Sequence, residues 1–242
     1  MTQLLGQTVI VLGGSAGIGF ATARLAREQG ADVIITGRDP DRLQQAATDL
    51  GARASAAFDA TDIAALETFF AGLDGPIDHV MVAAGSAYYA PLPELDFDRA
   101  HHSVEEHLWL PLHVARLSIG RIRPGGSLLL MSGTGARRPA VGLALATVLS
   151  VGLPAMVGGL ALELAPIRVN LIAPGFVDTP LSATLLGADL DARRTELAAT
   201  LPIRRVIGPD DVAALAVHVM TNTALTGSTY DIDGGQSLVT AH

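Results

Sequence analysis

The run Gly13-Gly14-Ser15-Ala16-Gly17-Ile18-Gly19 follows the apolar segment Thr8–Leu12 and opens a helical pattern. A bound phosphate needs close backbone approach, unhindered N–H groups and the positive end of a helix dipole. Glycines at 13, 17 and 19 supply the turn, the approach and the tight helix–strand contact, with Ser15 and Ile18 between them. The loop therefore reads as a cradle for the diphosphate of a dinucleotide. At the end of the second strand the chain reads Ile35-Thr36-Gly37-Arg38, without the carboxylate that usually holds a ribose 2′-hydroxyl. Gly37 leaves room, and the Arg38 guanidinium can grip a 2′-phosphate through two bonds, which favours NADP(H). The bland alternative for Arg38 is a solvated loop residue pairing with Asp39 or Asp41.

A second set of residues has the chemistry for proton transfer. Ser132, in Ser132-Gly133-Thr134-Gly135, follows the fifth strand. Tyr88 and Tyr89 follow the fourth, at the strand end where open α/β sheets place their ligands. His101, His102 and His107, with Glu105 and Glu106, fall on the next helical segment. A histidine can act as acid or base near neutrality without a helper. Against these stand plainer readings: pocket lining for the tyrosines, a solvated helix face for His101 and His102.

These groups need a scaffold, and the hydrophobic pattern supplies one. Strands are expected at Thr8–Leu12, Val33–Thr36, Ala54–Phe58, His79–Ala83, Ser127–Met131, Arg168–Ala173 and Thr229–Ile232, with helices such as Gly17–Gln29, Asp41–Leu50 and Asp62–Leu73 between them. Strands spaced by helices of this length form βαβ units with right-handed crossovers. The expectation is an α/β Rossmann fold: one doubly wound parallel sheet of about seven strands, helices on both faces, and residues 1–242 as a single domain.

Composition narrows the function classes. Hydrophobic residues make up 49% of 242 and charged residues 17%, the balance of a sheet covered on both faces. A formal charge of −8 argues against nucleic acid or an anionic membrane as the main partner. There is no cysteine, which removes disulfides, thiolate catalysis and zinc–sulfur sites, and no metal site is expected. The uncharged stretch Pro139–Leu162 is long enough to raise the question of a membrane span. Pro154 and several glycines interrupt it, and a helix apolar on most sides reads here as one buried on most sides. A soluble cytoplasmic protein is expected. All 16 basic residues are arginine; the chain contains no lysine, and its tyrosines are Tyr88, Tyr89 and Tyr230.

Further motifs run to the C-terminus. They are Phe58-Asp59-Ala60-Thr61-Asp62, Val82-Ala83-Ala84-Gly85, Arg168-Val169-Asn170 with Pro174-Gly175-Phe176-Val177-Asp178-Thr179, Pro209-Asp210-Asp211-Val212, and Thr226-Gly227-Ser228 through Asp233-Gly234-Gly235. With the glycine loop, they make a chain that resembles the short-chain dehydrogenase/reductase family over nearly its whole length. Leu12 stands where that family usually has threonine, and both asparagines of its Asn-Asn-Ala-Gly element are missing before Ala84 and Gly85. The resemblance implies that Asp59 and Ala60 meet the adenine, that Ala84 and Gly85 line the cofactor, and that Pro174, Gly175, Val177 and Thr179 flank the nicotinamide.

The activity implied is hydride transfer between nicotinamide and a carbonyl or alcohol on a small molecule. Usual members employ a serine, a tyrosine, a lysine four residues later and an asparagine. The lysine is needed because a phenol of pKa ~10 is a poor base at neutral pH unless a cation favours its anion. Ser132 matches the serine. Counting back from Leu162-Glu163-Leu164 puts Ala146 and Ser150 at the tyrosine and lysine positions; counting forward from Ser132 gives Leu145 and Leu149. The asparagine position falls near His107. Two functions follow as expectations: an oxidoreductase with a rearranged proton donor, Tyr89 or His107 beside Ser132, or a catalytically inactive NADP(H)-binding sensor or structural partner. The family's helix at Ala144–Leu162 packs on a partner subunit, so a homodimer or homotetramer is implied.

Overall fold

Strand residues alternate their side chains between the two faces of a sheet, and here both faces are apolar. In the computed structural model, which describes residues 3–239, seven strands form one parallel sheet in the order β3-β2-β1-β4-β5-β6-β7. They are β1 (Thr8–Leu12), β2 (Asp32–Gly37), β3 (Ala54–Ala57), β4 (Ile77–Val82), β5 (Ile122–Met131), β6 (Arg168–Pro174) and β7 (Thr229–Ile232). Val9 and Val11 of β1 enter one core and Ile10 and Leu12 the other. The first core packs helices α1 (Gly17–Glu28), α2 (Pro40–Leu50) and α9 (Pro209–Thr221) on one face. The second packs α3 (Ile63–Ala71), α5 (Leu110–Ser118) and α6 (Ala144–Glu163) on the other. The fold is the expected doubly wound one.

Local chemistry starts the helices where the sequence changes period. Asp39 and Asp62 accept the N–H groups of Arg42 and Ala65 and so cap α2 and α3. Gly51, at φ 56°, ends α2 in the left-handed region that glycine adopts without strain. Helix α1 differs: Ala16 at its N-cap has no side chain able to take the first N–H groups.

Three expectations change. The fifth strand starts at Ile122 rather than Ser127, because Ile122 pairs with Ile77 and the residues between it and Ser127, Pro124 and Gly125 among them, bulge from the β4–β5 ladder before Ser127 pairs with His79. The helical segment carrying the histidines is broken into α4 (Phe97–Val104), a π-turn at Glu105–Trp109 and α5. Pro111 has no N–H to return to the carbonyl four residues earlier, and Leu110 N–H bonds Glu105 instead, five residues back. Finally, α6 is not buried on most sides. It seats Ser150, Leu153, Val157 and Leu160 and leaves Val148, Val151 and Leu162 exposed. By length and composition it could cross a membrane, yet its inner face packs with the β6 residues Val169 and Leu171.

Two buried polar groups sit near the N-terminal ends of β4 and β6. Arg168, 6% exposed, donates to the carbonyls of Gly125, Val219, Met220, Asn222 and Leu225, closing the C-terminal end of α9. His79, 3% exposed, donates Nε2–H to Gln7 at 2.7 Å and accepts the Ser127 hydroxyl at Nδ1, 2.8 Å away. Burial, with the charges of Arg168 and Arg123 nearby, pushes its pKa down to about 3.

Candidate cofactor and active site

Strand order reverses between β1 and β4, and in open sheets ligands bind in the crevice where it does so. The loops leaving these two strands touch there. A Cβ on Gly13 would lie 2.6 Å from the Ala84 nitrogen, and one on Gly19 2.1 Å from the Gly13 carbonyl oxygen. No side chain fits at either place. A Cβ on Gly17, at φ 54°, would lie 3.5 Å from Thr179, so the loop after β6 reaches the glycine loop. The α1 amides from Gly17 through Ile18 to Gly19 have no side-chain cap, and such a helix start favours an anion. The chain thus has a geometric fit for a dinucleotide diphosphate.

The space beside Gly37 belongs to Ser15, whose hydroxyl would lie 2.9 Å from any Cβ there. Arg38 does not pair with Asp39 or Asp41. Asp39 is committed to capping, and Arg38 Nη1 lies 4.0 Å from both Asp59 Oδ2 and Glu106 Oε1. Burial of Asp59 opposes ionisation, but hydrogen bonds from Thr61 N–H and hydroxyl, with Arg38 nearby, hold its carboxyl below the usual range. Ala60 and Val177 are 7% exposed, their side chains within the two cores, so only their backbone can face a ligand.

On the nicotinamide side, Pro174 accepts the Thr134 N–H at 2.9 Å, joining the loops after β5 and β6. Gly175 packs against Asp233 and Gln236 so closely that a Cβ would sit 2.6 Å from Gln236 Oε1. Thr179 caps α7 (Pro180–Leu186), exchanging hydrogen bonds with Ser182. Asp178 is held by Nη2 and Nε of Arg194, at 2.7 and 2.9 Å, which anchors α8 (Leu190–Thr200) to this loop.

Among the proton-transfer candidates, Ser132 Oγ is enclosed and has no hydrogen-bond partner. Among the described residues Thr22 Oγ1 and Arg137 Nη2 are likewise without a partner; each such group calls for an explanation, and for Ser132 a bound substrate oxygen would supply one. His107 sits on the π-turn, its Nδ1 2.9 Å from the Ser103 carbonyl. A carbonyl only accepts, so Nδ1 carries the proton and neutral His107 keeps a free lone pair on Nε2. That nitrogen is directed at Gly85, where a Cβ would lie 3.5 Å from it. Gly85, at φ 133°, ends the loop after β4, next to the strand that leads into Ser132.

The tyrosines have other surroundings. Tyr88 accepts the Asp96 N–H at 2.8 Å and lies under the Arg99 guanidinium, which holds the loop to α4. Tyr89 is 53% exposed, and the desolvation it does experience raises its phenol pKa, away from what a base needs.

One grouping was not foreseen from the sequence. Glu106, 5% exposed, takes the Ser86 N–H at 2.9 Å and its hydroxyl at 3.0 Å on Oε2, while His102 Nε2 is 3.3 Å from Oε1. His102 therefore does not sit on a purely solvated face. The i,i+4 spacing of His102 and Glu106 was the available signal. Among the described residues no cluster of His, Asp and Glu suits a metal ion. A cavity of about 690 Å³ opens at the opposite end of the strands, lined by Gly120, Arg121, Arg123 and Pro166 among others. Its arginines are committed to the carbonyls of Phe70 and Leu73 and to Asp78, leaving neither free for a ligand.

Comparison with known proteins places this geometry in context. A family model described as enoyl-(acyl carrier protein) reductase matches residues 13–237. The short-chain dehydrogenase/reductase malC of Malbranchea aurantiaca is 30% identical over 97% of this chain and 96% of its own. The solved structure of the MalC reductase/Diels-Alderase from Malbranchea aurantiaca superposes with a TM-score of 0.89, covering 98% of this chain and 99% of that one, at 30% identity. The NADP-dependent (R)-specific alcohol dehydrogenase of Lentilactobacillus kefiri is 30% identical over 96% of this chain and 97% of its own. BdcA, solved in complex with NADPH, superposes with a TM-score of 0.85 at 28% identity, covering 96% and 95% of the two chains.

Proposed function

The chain belongs to the short-chain dehydrogenase/reductase family, and on that premise we propose that it binds NADP(H) and interconverts a small carbonyl compound and its alcohol. Cofactor binding is supported by the uncapped start of α1, the glycine contacts that exclude side chains, and the position of Arg38 at the end of β2. The L. kefiri relative is NADP-dependent by name, and BdcA was solved with NADPH, which supports the same choice. The bound nicotinamide supplies the hydride; orienting the substrate and moving the proton fall to the chain.

The observation that carries the catalytic half is the imidazole of His107. Its Nδ1–H is taken by Ser103, so Nε2 is the nitrogen available to exchange a proton near Gly85. Ser132, with its unmet hydrogen bond, holds the substrate oxygen. On this reading α6 carries Ala146 and Ser150 where usual members carry tyrosine and lysine, and the chain has no lysine anywhere. His107 takes over the proton, and Tyr89 is the weaker candidate because its phenol is pushed up rather than down.

Loss of the usual pair also supports a second reading, in which the chain binds NADP(H) as a sensor or structural partner and turns nothing over. Purified protein offered NADPH with a panel of aldehydes and ketones separates the two. Turnover that His107→Gln abolishes supports the enzyme; cofactor binding without turnover supports the sensor. The exposed apolar face of α6, with Val148, Val151 and Leu162, supports a homodimer or homotetramer, which sedimentation equilibrium tests.

A further inference from the structure

Beside the ends of β2 and β3 four charged or titratable side chains converge. Arg38 Nη1 stands 4.0 Å from Asp59 Oδ2 and 4.0 Å from Glu106 Oε1, and His102 Nε2 stands 3.3 Å from that same Glu106 oxygen. Glu106 is nearly buried, and Ser86 occupies its other oxygen. Asp59 has Oδ1 committed to Thr61. Asp59 therefore turns its remaining oxygen towards Arg38, and Glu106 shares its remaining oxygen between Arg38 and His102. The guanidinium proposed to grip a 2′-phosphate thus lies within 4.0 Å of two anions, hydrogen-bonded to neither.

The charge at this place depends on His102. With a neutral imidazole, one arginine against two carboxylates gives +1 − 2 = −1; with an imidazolium the sum is zero. An incoming phosphate is repelled by the first arrangement. In the second, Glu106 has a cation at 3.3 Å and no longer competes for Arg38. Glu106 is buried while Arg38 and His102 are about half exposed, so this competition is screened only in part.

We infer that His102 and Glu106 are specificity-determining residues for the cofactor's 2′-phosphate, protonation of His102 releasing Arg38 and raising the preference for NADPH over NADH. The inference rests on the NADP(H) reading above. Histidine is the side chain whose charge changes between pH 5 and 8, so the preference rises on acidification. The groups facing His102 are Glu106 from the π-turn and, across Arg38, Asp59 from the loop after β3; on its own helix Asp98 and Glu105 lie one turn to either side. The phosphate itself works in the opposite direction: its second ionisation, with a pKa of about 6, is lost in acid and weakens its grip on Arg38. Comparing variants at the same pH removes that contribution.

The test is calorimetric titration of the whole chain with NADPH and with NADH at about pH 6 and about pH 8, for the native protein, His102→Gln and Glu106→Gln. At the lower pH the NADPH:NADH affinity ratio of the native protein should exceed that of His102→Gln by about fivefold or more, and the gap should close at the higher pH. Glu106→Gln should raise the ratio at the higher pH by a similar factor. His102 is half exposed, so its variant decides the matter even if Glu106→Gln does not fold. Identical ratios for native protein and His102→Gln at both pH values overturn the inference alone. Failure of the native protein to bind NADPH at either pH overturns the cofactor reading and the inference with it.

Discussion

His107 and Ser103 are one helical turn apart, and the 2.9 Å bond from the His107 ring to the Ser103 carbonyl decides which imidazole nitrogen can do chemistry. The π-turn that carries His107 runs directly into Pro111, which has no N–H to return to the His107 carbonyl. The Ser103 carbonyl thus sets the aim of the candidate acid–base residue.

Replacing that residue is the most direct trial. His107→Gln should lower kcat by about 10²–10⁴, the usual contribution of a positioned acid or base, while NADPH affinity changes far less. Alcohol oxidation needs the neutral ring and carbonyl reduction the protonated one, so the two directions should show pH dependences of opposite slope, both lost in the variant. Stopped-flow or steady-state rates across pH check this. An unchanged profile would remove His107 from the mechanism.

Arg38→Ala should weaken NADPH by roughly tenfold to a hundredfold, the range for charge-assisted bonds to phosphate, and NADH much less. Parallel titrations with the two cofactors measure it. Equal losses would leave the 2′-phosphate assignment without support.

The stability of the chain should fall as acid is added, through His79. Its pKa is about 3 when folded and near 6.5 when unfolded, so between these values the unfolded state binds the extra proton. Stability is fully present above pH 6.5 and declines as the pH drops towards 3, by on the order of 3–5 kcal/mol in total from this group. Thermal melting of native protein and His79→Asn over this range should show a shallower decline in the variant.

Arg168→Met should destabilise the fold by roughly 3–5 kcal/mol, because it strips the donor from carbonyls that the burial of Arg168 closes off from water. Urea denaturation reads this directly. A change below about 1 kcal/mol would mean that water reaches those carbonyls.

The scaffold was largely legible from local rules. Apolar runs with β-branched residues became strands at Thr8–Leu12 and Thr229–Ile232 without a shift of boundary, since parallel strands buried on both faces leave a dense apolar signal. The glycine loop could be read because its requirement is steric and carried by consecutive residues, as the contact of Gly19 with Gly13 illustrates. Absence of lysine needs no fold at all. Side-chain pairing across elements was different. That Arg38 faces Asp59 and Glu106 rather than its neighbours Asp39 and Asp41 depends on where three separate elements end. That Ser86 completes Glu106, and that α6 seats only one face of an almost wholly apolar helix, depend on packing directions with no periodic trace. Sequence alone determined the sheet and the phosphate cradle, because short-range sterics and burial act residue by residue. Tertiary structure alone decided which nitrogen of His107 is free and which carboxylates restrain Arg38, because hydrogen bonds and Coulomb attraction act across distances that folding creates.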